Sequence, residues 1–162
     1  MLTSCGTRRY ATTCDEGVVI NGVRWATRNV DVSGTFAQNP ESAGGFFTWR
    51  EARNACPRGW RVPTREELQL LVEVDSEWGT LNEVDGLFFG IYPYLLFLPA
   101  TIWRFMPRGT KPGLPVDVVA FGYYWSSTQY PTRYAWNLRF RFSPMVHVCR
   151  RDAAYSVRCV AD

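Results

Sequence analysis

The sequence predicts an α+β fold: two short helices against a small, mainly antiparallel sheet, its terminal strands brought together around one hydrophobic core. Three observations lead there. Asn21-Gly22, the dipeptide that best supplies the two positive φ angles of a tight hairpin, separates two short apolar runs. Thr48 with Glu51 and Thr64 with Glu67 repeat the spacing of a helix capping box. Trp136, Leu138, Phe140 and Phe142 alternate with Asn137, Arg139 and Arg141, which is the period of a strand with one buried and one outer face.

In chain order, residues 1–16 form a loosely structured leader and 17–162 one domain. Strands are expected at Val18 to Ile20 and Val23 to Ala26, followed by a polar, glycine-containing stretch over 31–45. The helix after Thr48 is short, because Pro57-Arg58-Gly59 follows it. The helix after Thr64 turns Leu68, Leu71 and Val72 toward the core. Residues 79–119 read as loop-heavy, with prolines at 93, 99, 107, 112 and 115. Tyr123-Tyr124-Trp125, the strand over 137–142, Met145 to Val148 and Ser156 to Val160 complete the sheet.

A chain of 162 residues can bury about 70% of its extended surface and fold alone. The net charge of +3 is unevenly placed: the last Glu is Glu83 and the last Lys is Lys111, and from Gln129 onward six arginines face two aspartates. That balance suits an anionic patch on a partner. Without a helix-turn-helix, zinc-finger spacing or lysine track, it does not indicate specific nucleic-acid binding. No apolar run reaches the length of a membrane span. Leu2-Thr3-Ser4-Cys5 resembles the end of a bacterial lipoprotein signal, but the apolar segment that should precede it is missing.

Of the five cysteines, four could form two disulfides, Cys5 with Cys14 and Cys56 with Cys159, leaving Cys149 over. A Cys56 to Cys159 link would contribute on the order of 4 kcal/mol through loop entropy, and such bonding argues for an oxidising destination. No catalytic set is legible. Ser126, Ser127 and His147 lack the Gly-x-Ser-x-Gly context of a hydrolase, and His147 is the only histidine, with no Cys-x-x-Cys beside it. No enzyme activity, metal or cofactor is expected.

The segments Gly22-Val23-Arg24-Trp25-Ala26-Thr27-Arg28-Asn29-Val30, Cys56-Pro57-Arg58-Gly59-Trp60-Arg61-Val62-Pro63-Thr64, Phe97-Leu98-Pro99-Ala100, Gly122-Tyr123-Tyr124-Trp125-Ser126-Ser127 and Ser156-Val157-Arg158-Cys159-Val160 resemble the major paralogous domain of Fibrobacter succinogenes and gut Bacteroidetes. The resemblance spans about residues 17–161. It implies a C-type-lectin-like fold with paired terminal strands and a disulfide between Cys56 and Cys159. A narrower likeness links residues 135–160 to the variable region of proteins diversified by retroelements, in which AAC codons are miscopied at adenines. Such codons yield Arg, His, Cys, Asp, Ala or Tyr but never Lys or Glu, and neither Lys nor Glu occurs after Lys111. Ala154 stands where that family usually carries Gly.

These readings converge on a non-catalytic ligand-binding domain. Its expected binding face comprises Tyr130, Arg133, Tyr134, Arg139, Arg141, His147, Cys149, Arg150, Asp152, Ala153 and Tyr155, with Trp136, Leu138, Phe140 and Val148 holding the backbone from within. The expected partner is a protein or glycan on a host or neighbouring cell surface, which places the chain outside the cell, on a cell surface or on a phage virion. The rival is a non-diversified adhesive or glycan-binding module of the same fold. A calcium-dependent lectin mechanism is disfavoured, since Glu-Pro-Asn and Gln-Pro-Asp triplets are absent and carboxylates are scarce in the last third.

Overall fold

In a computed structural model, which describes residues 12–107 and 116–162, the chain is built mainly of antiparallel strands arranged in three sheets. This corrects the α+β, C-type-lectin-like expectation: among the described residues, α-helix is confined to α1 (Trp49–Ala52) and α2 (Arg65–Val72). The first sheet has the order β1 (Val18–Ile20), β2 (Val23–Trp25), β11 (Val160–Ala161), β3 (Trp60–Arg61). The second is a meander of β4 (Ser76–Leu81), β5 (Val84–Ile91) and β6 (Tyr94–Pro99). The third runs β10 (Pro144–Arg150), β9 (Tyr134–Phe140), β8 (Val116–Tyr130), β7 (Ile102–Pro107).

The difference arises over 76–107, where prolines suggested loop. They sit where strands turn or end: Pro93 between β5 and β6, Pro99 closing β6, Pro107 closing β7, positions that need no ladder N–H. The β4–β5 connection is a two-residue turn with both Asn82 (φ 47°) and Glu83 (φ 70°) left-handed, a hairpin made without glycine. At Asn21-Gly22 the same geometry appears with the expected residues, φ 48° and 81°. Both capping boxes form, each threonine hydroxyl accepting from the glutamate N–H and each glutamate accepting from the threonine N–H.

The terminal strands share a sheet, but Val160 pairs with Trp25 on one side and Arg61 on the other, so β11 lies between β2 and β3 and does not touch β1. Hydrogen bonds from Ala26 N–H to the Cys159 carbonyl and from Val30 N–H to the Val157 carbonyl extend this seam. The Cys56–Cys159 disulfide is present, closing a separation of 103 residues. The Cys5–Cys14 bond falls outside the described residues. The end of the leader is fastened: the Asp15 carboxylate accepts from Gly17 N–H, Thr27 N–H and Arg28 Nε at 2.8, 3.0 and 3.1 Å.

The single core expected from the sequence is two clusters, because strands β8 and β9 are buried on both faces. Tyr124, Leu138 and Phe140 point to one cluster with Trp25, Leu68, Leu71, Leu87, Phe89 and Val160. Tyr123, Trp125 and Ala135 point to the other with Phe47, Trp49, Tyr155, Val157 and Cys159. Strand alternation thus divides the domain into two apolar layers with a sheet between them.

Two outcomes follow. Gly122→Ala drives a Cβ into the Phe140 ring, and overpacking of this kind is expected to cost about 1–3 kcal/mol, visible as a lower melting temperature. The Cys56→Ser, Cys159→Ser pair releases the long loop and is expected to lower stability by about 4–5 kcal/mol in denaturant titrations; an unchanged midpoint would show that the seam holds without its bond.

Candidate functional site

The register of β8, β9 and β10 sorts the last third of the chain into two faces. Tyr123, Arg139 and Met145 form one cross-strand row; Trp125, Asn137 and His147 form the next; Gln129, Ala135 and Cys149 form the third. These rows share a face. Its floor is buried, with Tyr155 stacked on Tyr123 at 4.6 Å and tilted against Trp125 at 4.7 Å. Toward the sheet edge at β10 the face opens, leaving Arg139, His147 and Cys149 partly exposed and Met145 exposed. The opposite face carries Tyr134, Trp136, Leu138, Phe140, Val146 and Val148, and α2 packs against it.

The eleven residues expected at the binding face therefore divide. Arg139, His147 and Cys149 lie together on the open part of the first face, with Ala153 half-buried behind them. Tyr130, Arg133, Tyr134, Arg150 and Asp152 gather at the β8–β9 turn, where Tyr130 pairs with Tyr134 and Tyr134 with Arg150. Arg150 and Asp152 bond each other, Nη2 to Oδ2 at 2.7 Å and Nε to Oδ1 at 3.2 Å. Arg141 is not on a strand: β9 ends at Phe140, and Arg141 lies in the following turn with its guanidinium 4.7 Å from the Phe142 ring.

Tyr155 is not an outer residue. It is 8% exposed and belongs to the core, because the backbone bridge between Phe47 and Tyr155 draws its ring onto Tyr123 and Trp125. Asn137, assigned by alternation to the outer side, is 0% exposed, while Phe142, assigned inward, is 57% exposed and rests edge-on against Trp78. Trp136 is only partly covered; Arg65 lies 4.1 Å from its ring and Tyr130 meets it edge-on.

The basic character of the segment also shrinks in three dimensions. Arg158 is 1% exposed. Its Nε donates to Asn29 Oδ1 at 2.8 Å and its Nη1 to the Ala26 carbonyl at 3.2 Å; Asn29 Nδ2 in turn donates to Tyr124 Oη, which donates to the Pro99 carbonyl at 2.7 Å. Burial pushes the Arg158 guanidinium down to about 10, still protonated at neutral pH, and pushes the Tyr124 phenol up to about 12. Arg151 is held at the turn: Nε donates to the Tyr134 carbonyl, Nη2 to the Tyr130 carbonyl, and the guanidinium lies 4.5 Å from the Trp49 ring. Arg133, Arg139 and Arg141 make no side-chain hydrogen bond or ion pair among the described residues, and they carry the segment's unpaired positive charge.

Sequence reasoning missed Arg151 and Arg158 as structural residues. The available signal for Arg158 was its place inside Val157-Arg158-Cys159-Val160, an apolar seam where a charge must be bonded. Among the described residues no three His, Cys, Asp or Glu side chains converge, and no helix is long and apolar enough to cross a membrane. Two grooves of about 420 and 480 Å³ lie away from this face. Val19, Val74 and Tyr94 help to line one, and Trp78, Phe88 and Leu95 the other.

The family model described as the Lcl C-terminal domain matches residues 19–161, and the chain belongs to that family. No curated protein and no solved structure matches the chain.

The buried network yields a contrast between arginines. Arg158→Met leaves the Asn29 and Ala26 acceptors without their donor and is expected to cost about 2–4 kcal/mol, whereas Arg133→Ala is expected to stay within about 0.5 kcal/mol of the parent. Chemical denaturation of the two variants checks this; equal midpoints would remove Arg158 from its structural role.

Proposed function

We propose that this Lcl C-terminal domain is a non-catalytic ligand-binding domain whose C-terminal surface is diversified, in the manner of a retroelement variable protein, for contact with a protein or glycan on a cell surface. The observation that carries the proposal is the separation of duties within β8–β10. Tyr124, Leu138, Phe140, Trp125 and Ala135 fix the sheet from both sides, while Arg139 projects from β9, His147 and Cys149 from the edge strand β10, and Tyr130, Arg133, Tyr134, Arg150 and Asp152 at one turn. Exchange of the projecting residues other than Cys149, which packs partly against the second cluster, opens no core cavity; such a cavity would cost about 2–5 kcal/mol for a large side chain cut to Ala.

Arg139, His147, Cys149, Arg150 and Asp152 are all residues that miscopied AAC codons can produce. Met145 and Trp136 are not, and in this reading they are invariant parts of the template. Arg and Tyr are also the side chains from which single contacts draw most of an interface's affinity. An extracellular, cell-surface or virion location accords with the disulfide at Cys56 and Cys159.

A binding screen against arrays of cell-surface proteins and glycans tests the proposal, comparing the parent with an Arg133→Ala, Arg139→Ala, His147→Ala variant. Loss of binding by about tenfold or more with an unchanged melting temperature is the expected result; undiminished binding places the contact elsewhere. Diversification is tested separately in the source genome. A reverse transcriptase gene beside a near-identical repeat differing only at adenines is expected, and a genome lacking both would leave the non-diversified adhesive module.

A further inference from the structure

Strand β10 carries a second chemistry, independent of macromolecular binding. Met145, His147 and Cys149 occupy alternate positions and so present a thioether, an imidazole and a thiol on one face. Cys149 is a free thiol, partly exposed. Its Sγ lies 3.6 Å from His147 Nδ1. Two ligands bonded to one tetrahedral d10 ion at about 2.0–2.3 Å stand about 3.5 Å apart, so the sulfur and nitrogen already have the spacing that a shared ion requires.

Asn137 supplies an independent indication. It is the cross-strand partner of His147, on the same face, and is 0% exposed. Neither its Oδ1 nor its Nδ2 has a hydrogen-bond partner among the described residues. A buried amide left without partners destabilises the fold unless something answers it. Its pairing with His147 puts this unpaired amide on the face that would carry an ion, where a neighbouring hydrogen bond steadies metal ligands.

We propose that Met145, His147 and Cys149, supported by Asn137, form a binding site for a single soft monovalent metal ion of the Cu(I) class. Thiolate and thioether ligands select such ions over hard divalent cations. The charges agree: no carboxylate stands in these cross-strand rows, Asp152 is engaged by Arg150, and Arg139 lies opposite Met145. A divalent cation would meet uncompensated repulsion from Arg139, whereas Cu(I) with one thiolate is neutral. Binding releases the Cys149 thiol proton to solvent, and the ion's oxidation state does not change. Met145 is exposed, and its flexible side chain can swing in as the third ligand.

The full chain, with its disulfide intact and under anaerobic conditions, is titrated with Cu(I) against a coloured Cu(I) chelator. One ion retained per chain is expected, with loss of that ion in Cys149→Ala and in His147→Gln. Because His147 is the only histidine, Ag(I) added as a redox-inert substitute should shift a single set of imidazole resonances, and this readout needs no variant to fold. No retained copper, retention undiminished in Cys149→Ala of unchanged melting temperature, or an imidazole signal that does not move with Ag(I) would each overturn the proposal.

Discussion

A guanidinium sealed from water sets the terms for the rest of this structure. Removing an arginine from solvent costs several kcal/mol even after relaxation, and Arg158 offsets that only through acceptors that must be delivered by distant parts of the chain. Ala26 and Asn29 come from the segment after β2, Tyr124 from the middle of β8, and the carbonyl that anchors Tyr124 from Pro99 at the end of β6. One charge therefore fixes the relative position of all three sheets. The adjoining Cys159 and Val160 are then committed, the first to Cys56 and the second to its place between β2 and β3.

With Tyr124 held, the alternation of β8 does the remaining work. Ala120 and Tyr124 face the Leu68 and Phe140 cluster, and Phe121, Tyr123 and Trp125 face Trp49 and Tyr155. Indole N–H groups tie the second layer to backbone: Trp125 Nε1 donates to the Phe47 carbonyl at 2.7 Å and Trp49 Nε1 to the Ser126 carbonyl at 2.9 Å. Buried rings whose polar atoms are satisfied rigidify a layer without the penalty of orphaned donors. Variation can then be confined to the outward positions of β10, an edge strand, and of the turns beside it, while Val146 stays packed against the first cluster and Ala153 against the second.

What is legible in the sequence is chemistry that acts between near neighbours. Asn21-Gly22 and the two threonine–glutamate boxes specify their turns and caps within four residues, and they form as read. The fold class was not legible, because Asn82-Glu83 makes its hairpin with two left-handed residues that carry side chains, and because prolines at strand ends look the same in a sequence as prolines in loops. The site was legible in part. Period-two alternation separated the faces of β9 correctly at Leu138 and Phe140 but gave no sign that the loop carrying Tyr155 folds over the other face. That tertiary cover makes Asn137 and Tyr155 interior while leaving Arg139 and His147 at the margin.

The same cover changes the kind of recognition the surface can perform. Six arginines in sequence suggest a field reaching toward an anionic partner, but Arg158 is enclosed, Arg151 is spent on two carbonyls and an indole, and Arg150 is neutralised by Asp152. Arg133, at one turn, Arg141, at the other, and Arg139, between them on β9, remain. Arg133 stands six residues along the chain from Arg139, about 20 Å at strand rise, well beyond the screening length of about 8 Å at physiological ionic strength, so the three do not act as one patch. In the proposed binding role, affinity would then come from contact: shape, tyrosine rings and single arginine hydrogen bonds at short range. That is the form of recognition in which replacing one exposed side chain exchanges one ligand for another while the sheet beneath stays as it is.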